Sequence, residues 1–456
     1  MEACPGAGPG QGGPGSGDDD IRPLPLARRW LMLGIFCIVT LANGFQWVQF
    51  AIIDDSVAAY YGTSRDVVDW TSLLFMITYL LGMLPAAWFL DKTGLRWTVL
   101  LAAAGNALAA WLKVLAVRPD LLAVLFSAQA LAGVVNCFVL SVPPRLAAVW
   151  FGDHEVSTAT AIGVIGNQLG NALGFAVPSV LVRAPPGAAG GGSLDDIGDD
   201  LAVVGYIVAG VCTASLLLVV LVFQAAPPCP PSRAMAAAQQ LGDAHTDSLS
   251  EYLYSLKTLI ASPGFLQLLV AYGISNGVSS AAGTILNGLL LSVYVDSETD
   301  AGLIGLTMVV SGLVGSVLCG LLLDATAKFK ELTVAVYALS LVAIVLFTGS
   351  LYSGEIWTVY VAGALAGSTL AGYIPVGFEF AAELTYPAPE GTSSGLLSAA
   401  GMLMAIVFTL SCNRLLEEAR GWLWVCCCLM AVLVVGAAFT LTIPNNLRRQ
   451  RAQRAP

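Results

Sequence analysis

The sequence predicts an all-α membrane protein, with twelve transmembrane helices in two pseudosymmetric six-helix halves, on three observations. The 456 residues are 57% hydrophobic and only 11% charged, with a mean hydropathy of +0.79, whereas soluble domains are about one-quarter charged. Apolar stretches recur at nearly even spacing, and at about 20 residues per crossing the length holds about twelve of them. One long polar break, 224–262, divides them six and six. This composition excludes a secreted or nucleic-acid-binding protein, and the net charge of −10 would repel a polyanion.

Residues 1–27 are Gly- and Pro-rich with an acidic triplet, Asp18 to Asp20, and read as a disordered cytoplasmic tail that cannot bury enough apolar surface to fold. No cleavable leader pattern opens the chain, so the first apolar stretch reads as an uncleaved signal anchor. The N-terminal half, 28–223, holds predicted helices at 29–52, 67–90, 97–117, 121–148, 156–182 and 201–223. The linker 224–262 carries Pro227, Pro228, Pro230 and Pro231, and Asp243 to Leu259 within it reads as an amphipathic surface helix or a solvated linker. The C-terminal half, 263–445, holds predicted helices at 264–294, 301–323, 333–352, 356–384, 392–414 and 421–443, and a basic cytoplasmic tail follows at 446–456. Fourteen Lys and Arg fall on one set of alternate loops and six on the other, Lys113 among the six. That bias puts both termini and the linker in the cytoplasm. The plasma membrane is the default location and a monomer the expected state.

The end of helix 2 reads Asp91-Lys-Thr-Gly-Leu-Arg96, and helix 8 ends at Asp324 followed by Lys328 and Lys330; the two acids are 233 residues apart. An acid beside a short basic turn, once per half, resembles the major facilitator superfamily, whose halves rock about a site near the bilayer midplane. Asp91, Arg96, Asp324 and Lys328 are therefore read as gating turns, and Glu379, toward the inner end of helix 10, as a gating ion-pair partner. No acidic relay lies near the midplane, so facilitated transport is the default, with Glu379 the residue that would overturn it.

Polar and aromatic residues in mid-span are the binding candidates. Helix 1 offers Asn43, Gln46, Trp47 and Gln49, with Asn43 and Trp47 four apart on one face. Asn136, Asn167, Gln168, Asn171, Tyr272, Ser275, Asn276, Ser279, Ser280, Asn287, Tyr373, Ser394, Ser398 and Met402 follow. Intramembrane amides also serve as glue between helices, and a tryptophan also anchors helices at the interface. Midspan Lys and Arg are absent, and His154 and His245 lie outside the spans. Such a pathway suits a neutral or cationic solute, with Trp47 the cation–π candidate, worth about 0.5–2 kcal/mol. Ten cysteines show neither a disulfide framework nor CxxC metal spacing. No metal or cofactor is implied, and neither an assembled nucleophile with its base nor a phosphate loop suggests an enzyme. The partners are a small-molecule substrate and the bilayer.

The runs NGFQWVQF (43–50), VWFGDHEVSTATA (149–161), GNQLGNALGF (166–175), GLVGSVLCGLLLD (312–324) and GYIPVGFEFAAELTYPAPEGTSSGLL (372–397) resemble the feline leukaemia virus subgroup C receptor-related family, over roughly residues 28–445. The resemblance implies transport of choline and ethanolamine, with haem an older alternative, through an aromatic cage between the halves. Trp47 matches the family's cage tryptophan. The family's cage tyrosine falls at Ser280, which is also the mate of Trp47 at the 233-residue offset, and two pocket glutamines fall at Asn136 and Met402. The cage here would have one wall, which motivates a transport-inactive receptor as a further alternative. Tyr272, two turns from Ser280, would replace the missing aromatic if its helix turned it inward.

Overall fold

A computed structural model of the chain describes residues 26–151, 155–186, 191–227, 262–294, 298–326, 328–385, 390–418 and 420–444. The N-terminal tail through residue 25, most of the linker with the possible 243–259 helix, the basic tail, and both histidines lie outside these residues, as do the side chains of Asp91 and Asp324.

Among the described residues twelve long helices form the bundle. The first half consists of α1 (Leu26–Val48), α3 (Arg65–Thr93), α4 (Leu95–Leu115), α5 (Leu122–Trp150), α6 (Val156–Leu181) and α7 (Leu194–Val222). The second consists of α8 (Pro263–Leu291), α9 (Glu298–Thr326), α10 (Phe329–Tyr352), α11 (Ile356–Thr385), α12 (Glu390–Leu416) and α13 (Gly421–Thr442). Among the described residues ten are long and apolar enough to cross a membrane; α6 and α8, which carry midspan amides and serines, are the other two of the twelve. Bulky side chains such as Leu81, Leu221 and Val361 stay more than 70% exposed on the outer surface, as lipid contact requires when the solvent is itself apolar.

Two boundaries differ from expectation. Helix α1 stops at Val48, four residues short of the predicted end, and the chain passes through a 3₁₀ turn, Ala51–Ile53, into a short helix α2 (Asp54–Tyr61). Helix α7 begins at Leu194 instead of 201 because Ser193 accepts the Asp196 N–H and the Asp196 carboxylate takes the Ser193 N–H. This reciprocal cap extends the helix beyond its apolar span, through Asp195 and Asp196 in its first turn.

Packing within each half follows small residues. On α6, Gly170 lies against the Leu41 carbonyl and the Phe45 N–H of α1, where a Cβ would have no room. In the second half Gly277 of α8 is pressed equally against Met404 and Ala405 of α12. The two halves meet along two seams, α6 with α9 and α3 with α12, and close backbone approach of this kind is what replaces the hydrophobic effect inside a bilayer.

Candidate functional site

The halves are clasped at the end of the bundle opposite the start of α1 and the end of α13. Asn287, at the end of α8, donates to Asp54 Oδ1 at 2.5 Å, and Asn413 on α12 donates to Asp69 Oδ2 on α3 at 2.6 Å. On the other seam the Thr299 hydroxyl donates to the Ser179 carbonyl at 3.3 Å. Asp54 and Asn287 are 233 residues apart, the same spacing as Asp91 and Asp324. The clasp therefore joins two residues at the same sequence offset that relates Trp47 to Ser280.

Trp47 sits in the last turn of α1, where the halves adjoin. It packs against Leu73 and Met76 of α3 and Ala405 of α12, as does Met402, and also against Phe75, Ala109 and Ala132. Its indole N–H is buried without a hydrogen-bond partner among the described residues. Asn136, on α5, is largely buried. Its neighbour Cys137 joins α5 to α3 through a contact to the Thr78 carbonyl. Tyr79 of α3 packs beside Met402, and its hydroxyl approaches Ser398 of α12. Sequence reasoning missed Tyr79, although a tyrosine in the middle of an apolar span was the available signal.

Several predicted binding residues point elsewhere. Asn43 donates to Asn106 Oδ1 at 2.9 Å and to the Ala132 carbonyl at 3.1 Å, and Asn106 returns a bond to the Val39 carbonyl. Asn43 thus ties α1 to α4 and α5; it shares the Ala132 face with Trp47, as their spacing required, but spends its amide inside the N-terminal half. Gln46 is fully buried toward α4 and α7, holding Lys113 Nζ at 3.1 Å and donating to Cys212 Sγ at 3.7 Å. Asn167 donates to the Thr40 carbonyl, and Gln168 accepts from Asn171 at 3.0 Å. Tyr272 lies inside the C-terminal half, stacked on Phe378 at 5.4 Å and beside Tyr373 at 6.1 Å, with its ring occupying the space where a Gly377 side chain would go. Ser280 is half-buried on α8, its carbonyl accepting the Thr284 hydroxyl.

Lys113 also differs from expectation. Counted as a loop cation, it is buried in the last turn of α4, 5.6 Å from the Phe50 ring, beside a cavity of about 30 Å³ lined by Gln49, Phe50 and Tyr61. A turn position at the end of an apolar span does not reveal which way the side chain points. At the termini end, Asp91 falls in the last turn of α3 and Arg96 is exposed in the first turn of α4; Asp324 falls in the last turn of α9 and Lys328 precedes α10. Glu379 is exposed on α11. Among the described residues, no three His, Cys, Asp or Glu side chains converge to hold a metal ion.

Residues 34–409 match the Major Facilitator Superfamily profile. The choline/ethanolamine transporter flvcr2b of Danio rerio is 41% identical over 428 residues, covering 93% of this chain and 85% of the relative. This chain belongs to the major facilitator superfamily and, within it, to the feline leukaemia virus subgroup C receptor-related family. Human choline/ethanolamine transporter FLVCR2 is 39% identical across 96% of this chain and 82% of its own, and Felis catus choline/ethanolamine transporter FLVCR1 is 40% identical across 97% and 77%. Among solved structures, a bacterial homologue of the human lysosomal transporter Spinster, inward-facing and unoccupied, matches with a TM-score of 0.70 at 14% identity, covering 93% of this chain and 99% of that one. Membership of this superfamily makes the protein a multi-pass membrane transporter.

Proposed function

We propose that this chain carries choline, ethanolamine or a similar small amine across the membrane by alternating access, as a facilitator running down the substrate gradient. The observation that carries this reading is Trp47: an indole face at the junction of the halves attracts an ammonium group, and its buried, unpaired N–H is a donor suited to a small alcohol. Met402 packs on the same Leu73, Met76 and Ala405 cluster as Trp47, it also packs on the cluster that holds Tyr79, and Asn136 supplies an amide on helix α5. The clasp opposite the termini then belongs to a state closed on one side, and the turns around Asp91 and Asp324 to the gate on the other. The excess of Lys and Arg supports cytoplasmic termini and a plasma-membrane location is consistent with it. The relatives' names support the substrate class.

The test is uptake of labelled choline and ethanolamine by cells expressing the chain, with Trp47→Ala at matched surface expression as control. Saturable uptake lost in the variant is the expected result. Equal uptake by the variant would remove Trp47 from the binding site, and no uptake of either compound by the unmodified chain would overturn the substrate class.

A further inference from the structure

The end of α1 raises a problem that its neighbours solve. Because the helix stops at Val48, the carbonyls of Gln46 and Trp47 lose the donors four residues on that a continuous helix supplies, and an unpaired carbonyl inside a bilayer is costly. Gln129 of α5, fully buried, donates its Nε2 to the Gln46 carbonyl at 2.9 Å and to the Trp47 carbonyl at 3.4 Å. Lys113 of α4 donates its Nζ to the Gln46 carbonyl at 3.5 Å and to the Gln46 side chain at 3.1 Å. A cation at a helix C-terminus also faces the negative end of the helix dipole. Two side chains from separate helices therefore replace the missing turn at the two residues that fix where the indole points.

We propose that Lys113 and Gln129 are positioning residues for Trp47: by capping the interrupted end of α1 they hold the indole in the orientation that receives the substrate. This rests on the reading of Trp47 as a substrate contact, but the positioning itself can be observed without any substrate. The chain holds ten tryptophans. In full-length protein labelled with 5-fluorotryptophan, the Trp47 resonance is assigned by its loss in Trp47→Phe. Lys113→Met and Gln129→Met should broaden or split that resonance while most of the others stay in place; Lys113→Gln, which keeps a donor, should restore a single line. A Trp47 line unchanged in both Met variants overturns the proposal. Labelled choline supplies the second readout. Each Met variant should raise KM by roughly tenfold or more with little change in kcat, as misplacement of a binding group does, and should add nothing further in a Trp47→Ala background. Additive losses in that background overturn the proposal, whereas an unchanged KM in Trp47→Ala alone overturns the substrate contact instead. Should Lys113→Met fail to reach the membrane, Gln129→Met removes the donor to the Trp47 carbonyl without touching a charge and carries the same test.

Discussion

Replacing Asn287 by alanine should open the clasped end of the bundle. The Asn287 amide reaches Asp54 Oδ1 at 2.5 Å, and both side chains are almost wholly buried. Removing the amide takes a hydrogen bond from a buried carboxyl oxygen and leaves it only the Asp55 N–H at 2.8 Å, a loss of about 1–3 kcal/mol. The cost falls on the clasped state alone, because separation of the halves lets water reach the carboxylate. At tenfold per 1.4 kcal/mol the ratio of clasped to open protein should fall roughly 5- to 150-fold. Nitroxide labels at exposed positions 120 and 355, in a background with the native cysteines changed to Ser, Cys4, Cys229 and exposed Cys427 among them, report the separation of the two halves at that end. Their distance distribution should shift toward longer values in Asn287→Ala and further in Asn287→Asp, which sets two carboxylates face to face. A distribution unchanged in both variants, in folded protein, would refute the reasoning.

Three further outcomes are expected. Ser280→Tyr, at the pseudosymmetric mate of Trp47, should tighten choline binding by up to about 2 kcal/mol; unchanged or weaker binding in folded protein would show that this face of α8 does not adjoin the pocket. Asp324→Asn should lower kcat more than it raises KM, because the turn between α9 and α10 lies at the end of the bundle, and a raised KM with unchanged kcat would count against a gating role. Asn43→Leu should lower thermal stability by about 1–3 kcal/mol through the unpaired Asn106 Oδ1 it leaves, with choline KM little changed; a large KM change with full stability would return Asn43 to the substrate path.

Chain order was legible wherever one-dimensional periodicity governs it. Apolar runs of bilayer length, the acid-and-basic-turn repeat at Asp91 and Asp324, and the 233-residue offset are properties of the sequence, and the offset reappears as the Asp54 to Asn287 hydrogen bond. Trp47 could be singled out by its place in the run NGFQWVQF, which matches the family's cage tryptophan, since its type and span position alone suit an interface anchor equally well. What only the tertiary structure decided is direction. Asn43, Gln46 and Trp47 occupy neighbouring positions on one helix, yet Asn43 and Gln46 turn their amides into the N-terminal half, while Trp47 meets α12 of the other. In a membrane nearly every residue type tolerates burial beside another helix, so hydropathy cannot tell the face that lines a path from the face that packs. Lys113 shows the same limit: its place in the sequence is the end of a span, but its buried side chain answers to carbonyls exposed by a break in α1 that no propensity at residues 49–53 announces. Period and charge bias are local or additive along the chain and survive in the sequence; the pairing of orphaned donors and acceptors between helices depends on the packed geometry and exists only once the helices have come together.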